Sequence, residues 1–243
     1  MSKLRFVLLM LIILAAAWTD QIIPRNTPTS LAPLRTELAA MMAQFESTPL
    51  DISATRIAEL NELAVWTADE LADHGTASLT FICTHNSRRS HLAQLWTSAA
   101  AAHFGIEGVQ AFSGGTEATA FNVRTVAALR RAGFTLAEEV GGANPVYRVR
   151  WSDEGDGALC FSKRYTDPVN PAEGFAAVMT CSDADRGCPL VLGSAARFAL
   201  PYLDPKASDG TPAEAATYDE RTREIGREMH YLMGRVAERL ASR

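Results

Sequence analysis

The sequence predicts an α/β fold: a small parallel sheet of about four strands flanked by helices, with a helical extension in front of it. Three observations predict it. Short β-rich runs alternate with stretches whose apolar residues recur at helical spacing. The first such run, Ser78–Ile82, ends in Cys83 and a polar loop before a helical pattern resumes at His91. The last segment, from about Thr217, carries Ile225, Met229, Leu232, Val236 and Leu240 as one apolar stripe, which suits a terminal helix.

From the N-terminus, Lys3 and Arg5 precede an uncharged apolar run, Phe6 to Trp18, that contains Ala15-Ala16-Ala17. A basic start, a short apolar core and small residues at a cleavage point make residues 1–20 a signal peptide or, if uncleaved, a membrane anchor. Either outcome places the domain in the periplasm or at the membrane facing outside. An oxidising compartment would tend to lock paired thiols. A downstream start, for example at Met41, would leave the domain cytoplasmic instead.

Residues 21–75 read as linker and helical extension. Ile22 to Thr29, with Pro24 and Pro28, is the linker. One helix is expected from about Ser30 to Phe45. Another runs from about Ser53 to His74, with Ile57, Leu60, Ala64 and Leu71 on one face and Gly75 just past its end. These helices carry no chemistry, so packing on the core is expected of them rather than a lid or partner surface.

Residues 76–243 read as the α/β domain itself. After the first strand and helix, Val109–Phe112 reads as a strand and Ser113-Gly114-Gly115-Thr116 as the turn after it. Asn122–Ala132 reads as a helix closed by Gly133, and Val140–Trp151 as irregular. Ala158–Phe161 and Phe175–Thr180 supply two more strands. In open parallel sheets ligands bind at the carboxyl ends of strands, where Cys83 and Cys181 both fall.

Composition bounds the function. With 243 residues, 47% of them hydrophobic, and 16 Gly, the chain is ordinary globular material. A net charge of -5, with no Lys/Arg cluster among aromatics, excludes a nucleic-acid face. The run Asp219–Glu224 mixes signs and reads as a solvated helix face. Trp66, Trp96 and Trp151 read as core or lid residues, and no metal or organic cofactor is implied.

The chemistry centres on Cys83-Thr84-His85-Asn86-Ser87-Arg88-Arg89-Ser90. A strand feeding a loop that opens a helix makes an anion site from converging amides and a helix N-terminus. A cysteine in that field favours the thiolate, the nucleophilic form. Arg89 adds a planar fork for two oxygens of a tetrahedral oxyanion, and Ser90 can donate a hydrogen bond to the Cys83 thiolate. Of the other cysteines, Cys160 lies in an apolar stretch and reads as a small buried hydrophobe.

Cys83-x5-Arg89-Ser90 resembles the phosphate-binding loop of the low-molecular-weight protein tyrosine phosphatases, a superfamily that includes the thioredoxin-coupled arsenate reductases. The resemblance implies a phosphatase-like fold from about Thr76 onward. Cys83 becomes the nucleophile, Thr84 to Ser90 the oxyanion loop, and Asn86 its brace. His85 stands where the family usually has Gly, and Arg88 replaces a second loop cysteine. Val178 to Pro189 is similar to the redox segment of the arsenate reductases, with Cys181 and Cys188 separated by six residues around Cys-Ser-Asp-Ala-Asp. Asp204, before Pro205, matches the general acid. Asp209 and Asp219 are rivals that precede no proline.

What this implies is arsenate reduction through a relay from Cys83 to Cys181 to Cys188, emptied by thioredoxin or a similar dithiol. The flexible Asp/Gly-rich stretch would deliver Cys181 to Cys83. The alternatives are a phosphatase acting through a phospho-cysteine, with Cys181 and Cys188 as redox regulators or a structural bridge, and a non-catalytic oxyanion-binding or redox-sensing protein.

Overall fold

The computed structural model describes residues 31–48, 51–188 and 190–243, so residues 1–20, expected as a signal peptide or membrane anchor, and the expected Ile22–Thr29 linker lie outside the described residues. At its centre is β1 (Ala77–Cys83), whose Leu79, Phe81 and Ile82 are fully buried. A strand apolar on both faces belongs inside a parallel sheet. β2 (Val109–Gly115) lies parallel on one side of it, with Cys83 opposite Gly115. On the other side comes β6 (Phe175–Met179), with Ile82 opposite Met179, and then β7 (Ser194–Ala199) at the edge. The order β2-β1-β6-β7 makes the expected four-stranded parallel sheet.

One of its four strands was not expected. Ala158–Cys160 (β5) pairs antiparallel with β4 (Val146–Arg150), which pairs antiparallel with β3 (Thr135–Val140) in a second, three-stranded sheet. Only residues 151–157 separate β4 from β5, too few for the crossover that parallel strands require. The stretch expected to be irregular therefore holds β4, which buries Tyr147 and Val149 and leaves alternate residues partly exposed. The fourth parallel strand is β7, a half-exposed edge whose Arg197 interrupts any apolar run. A charge on an edge strand protects it from pairing with another chain.

The helices sit where their stripes predict. Leu38, Met42 and Phe45 of α1 (Thr36–Ser47) are buried. In α2 (Ala54–His74), Ser53 caps the first turn by accepting from Arg56 N at 3.1 Å, and Gly75 closes the last at φ 73°. α3 (Arg89–His103) is buried from Arg89 to Ala101 and packs on β1, β2 and α6 (Glu214–Ala241). α4 (Val123–Arg131) follows its N-cap, Asn122, and α5 (Ser182–Gly187) follows β6.

Both helices of the extension share one apolar core with the sheet. Leu38, Met42, Leu60 and Leu63 belong to the same cluster as Leu79, Trp96 and Leu232. Trp96 meets Phe45 and Phe134 edge-on at 5.8 and 5.1 Å between ring centroids. Backbone contact adds to this, with Arg35 N donating to Trp151 O at 3.0 Å.

Candidate active site

The Cys83 loop is held from outside. Thr116 N donates to Cys83 O at 3.1 Å and Glu117 N to Thr84 O at 2.8 Å. Ser162 Oγ donates to His85 O at 2.8 Å, and Asn122 N to Ser87 O at 3.0 Å. With these carbonyls engaged, none of the amides from Thr84 to Arg88 donates a hydrogen bond among the described residues. Those donors, next to the N-terminus of α3, are left for an anion.

Asn86 is the loop's inner brace. It is fully buried, and its φ of 44° is the left-handed conformation that Asn tolerates better than most residues. Its Oδ1 accepts from Lys163 N at 2.9 Å, and its Nδ2 donates to Ser90 Oγ at 2.9 Å. Ser90 Oγ thus has its hydrogen free for Cys83 Sγ, 3.1 Å away. His85, at the position where the resemblance would have Gly, has no positive φ; its side chain is half exposed beside Glu117, at 3.7 Å. Ser87 is buried, and its Oγ donates to Ala120 O at 2.7 Å.

Gly114 and Gly115 allow this closeness. A Cβ on Gly115 would lie 2.8 Å from Asn86 N and 2.8 Å from Thr84 O; one on Gly114 would lie 2.3 Å from Tyr165 Cα. The pair is the end of β2 rather than the turn expected there.

Opposite the loop stands Asp204, on the segment after β7. Its Oδ1 accepts from Lys206 N at 3.1 Å, capping the short 3₁₀ turn Pro205–Ser208. Its Oδ2 accepts from Arg89 Nη2 at 2.8 Å, while Arg89 Nη1 donates to Tyr202 O at 3.1 Å. Arg89 Nε is buried with no hydrogen-bond partner among the described residues. Arg88 also reaches Asp204, at 3.6 Å, and its Nε donates to Tyr218 OH at 3.1 Å. Tyr218 donates in turn to Asp209 at 2.8 Å, and burial, with that carboxylate, pushes its phenol up to about 12. Asp219 is paired with Arg131 instead.

Cys181 already stands at the site. Thr180 N and Oγ1 both donate to Ile82 O, at 2.7 and 3.0 Å, which ties the end of β6 to the end of β1. Cys181 Sγ lies 3.5 Å from Thr84 Oγ1 and caps α5 by accepting from Ala184 N at 3.3 Å. The stretch expected to be flexible is therefore a short helix, fixed further by Arg197 on Asp185 at 2.6 Å. Half-buried Cys188 packs against the apolar cluster that holds Cys83 and Cys181, and all three thiols are free. Cys160 is fully buried, and burial pushes its thiol up to about 12.

The structure thus gathers Cys83, Thr84, Asn86, Arg88, Arg89, Ser90, Cys181 and Asp204 at one end of the sheet, with Cys188 in the adjoining apolar cluster. Sequence reasoning missed Lys163, Ser162, Thr116, Tyr202 and Tyr218. All five act through tertiary contacts made by backbone groups or hydroxyls without a motif. The Gly114-Gly115 pair was the one local signal that another backbone comes close.

In sequence, the chain is similar to an arsenate reductase. That relative, from Bacillus licheniformis, is 29% identical over 150 residues, 61% of this chain and 89% of the relative. No family model matches. Among solved structures, the low-molecular-weight protein tyrosine phosphatase of T. tengcongensis is similar over 68% of this chain and 100% of its own, at TM-score 0.43 and 18% identity. The thioredoxin-dependent arsenate reductase of Corynebacterium glutamicum is similar over 85% of this chain and 83% of its own, at TM-score 0.34 and 19% identity. At those values neither structure assigns an activity.

Proposed function

We propose that this chain reduces arsenate to arsenite through a relay of Cys83, Cys181 and Cys188, within the low-molecular-weight phosphatase superfamily. The observation that carries the reading is the place of Cys181 beside the Cys83 loop, with Cys188 in the adjoining apolar cluster. The sequence likeness to an arsenate reductase supports it.

In the first step arsenate lies among the amides of Thr84 to Arg88, with the Arg89 fork on its oxygens. The Cys83 thiolate attacks arsenic; an S–As bond forms and an As–O bond breaks. Asp204 protonates the departing oxygen, which leaves as water. Cys181 then attacks Cys83 Sγ. The new S–S bond leaves the S–As electron pair on arsenic, taking As(V) to As(III), and arsenite departs. Cys188 attacks Cys181, frees Cys83 and carries the disulfide to the segment after α5, where a thioredoxin-like dithiol reduces it. Leu190, Leu192 and Leu203, 73, 70 and 76% exposed, give such a protein an apolar approach.

A phosphatase reading has its own support: Asp204 stands beside Arg89, where a phosphoester's leaving oxygen would need its proton. Arsenite formation, coupled to thioredoxin and its reductase, separates the readings when para-nitrophenyl phosphate hydrolysis is followed in parallel. Reductant-dependent arsenite that disappears in Cys181→Ser while ester hydrolysis persists supports the reductase. Ester hydrolysis without arsenite overturns it.

A further inference from the structure

Away from the thiols, the ends of two helices converge on the middle of a third. Glu46 is in the last turn of α1, His103 is the last residue of α3, and His230 lies midway along α6. One donor atom from each lies within 4.8 Å of the other two. His103 Nε2 is 2.9 Å from Glu46 Oε1, and His230 Nε2 is 3.7 Å from the same oxygen.

That 3.7 Å is too long for a hydrogen bond. His230 is 9% exposed, and its Nε2 has no hydrogen-bond partner among the described residues. Its ring packs against Phe45 and Phe104, with centroids at 5.9 and 4.9 Å. A buried imidazole nitrogen thus lies near a carboxylate it does not reach.

We propose that Glu46, His103 and His230 bind a divalent ion of the zinc class. Bond lengths of about 2.0–2.2 Å around a tetrahedral centre put donors about 3.3 Å apart, between the two separations seen here. Two imidazoles and a carboxylate are a zinc donor set that leaves one position open. Calcium and magnesium prefer all-oxygen shells. The carbonyl ends of α1 and α3 add partial negative charge. Glu46 and His230 also line a cavity of about 680 Å³, through which the ion can enter and a water can complete its shell. Bound there, the ion ties α1 to α3 and α6, and it touches none of the three relay thiols.

The test is direct binding of Zn²⁺ and Co²⁺ to the full chain with Cys83, Cys181 and Cys188 changed to Ser, so that those thiolates cannot be the ligands. One equivalent of Zn²⁺ is expected by equilibrium dialysis, with a raised Tm. Co²⁺ should give visible d–d bands of tetrahedral intensity without a sulfur charge-transfer band. Glu46→Gln and His103→Ala, both at partly exposed side chains, should weaken Zn²⁺ at least about tenfold, the scale of losing even an outer-shell partner. Their ion-free Tm values report folding separately. Absence of stoichiometric Zn²⁺ in the triple-Ser chain, or binding unchanged in both variants, would overturn the proposal.

Discussion

At the residue scale, the site is a chain of donors ending on sulfur: Lys163 N to Asn86, Asn86 to Ser90, Ser90 to Cys83. Asn86→Ala removes its centre, leaves the Lys163 amide buried without an acceptor and puts Ala at a φ of 44°. Loss of about 1–3 kcal/mol in urea unfolding is expected, with weaker phosphate binding. Stability within 0.5 kcal/mol of wild type, roughly the scatter of a neutral surface change, would contradict that role. His91, next to Ser90, is fully buried and stacked on Phe121 at 4.0 Å. Burial, then the nearby Lys163 charge, holds its imidazole well below the ordinary range. The unfolded chain therefore takes up a proton that the folded chain refuses as pH falls through about 6.5, costing up to about 1.4 kcal/mol per pH unit. His91→Gln should flatten urea midpoints measured from pH 7 down to pH 5; an unchanged slope would assign the loss elsewhere. Cys83, Asn86, Arg89 and Ser90 were legible because they lie within eight consecutive residues. Their partners Lys163 and Tyr202 were not: each contributes a backbone group from 77 or 113 positions away, which, proline's missing N–H aside, any residue type can supply.

At the scale of elements, β2 supports the loop because its last two residues lack side chains. Gly115→Ala brings a Cβ against backbone atoms of Asn86, Thr84 and Glu117, none of which can rotate away. Expected are a shifted loop, reduced phosphate protection against thermal unfolding and a lower Tm. Phosphate protection equal to wild type would show that the loop does not rest on Gly115. The elements read correctly, β1, α2, α4 and α6, carry unbroken periodicity or a clear cap. Those misread obey tertiary rules instead. β7 is a half-exposed edge, α5 is six residues capped by a cysteine, and β5 is antiparallel because its connection is short.

At the scale of the molecule, the α1 and α2 helices belong to the core that backs the site. Phe45 touches Trp96 on α3, the helix whose first turn holds Arg89 and Ser90. A chain shortened to begin at residue 49 would expose Trp96 and lose the burial of Leu38, Met42 and Phe45. At about 1.5–3 kcal/mol for each side chain, that approaches the whole stability of an ordinary domain. Such a chain should unfold at markedly lower urea; an unshifted midpoint would make α1 dispensable. None of this architecture distinguishes arsenate from a phosphoester, since both fit a loop of amides and an Arg fork. Under the proposed relay, the three thiols would distinguish them. The most direct measurement is therefore a single turnover of Cys188→Ser with excess arsenate and no added reductant, followed by peptide mapping under acid quench. One arsenite per chain and a Cys83–Cys181 disulfide are the results expected. Arsenite formed without that disulfide, or sustained turnover by Cys188→Ser once thioredoxin is supplied, would contradict the relay.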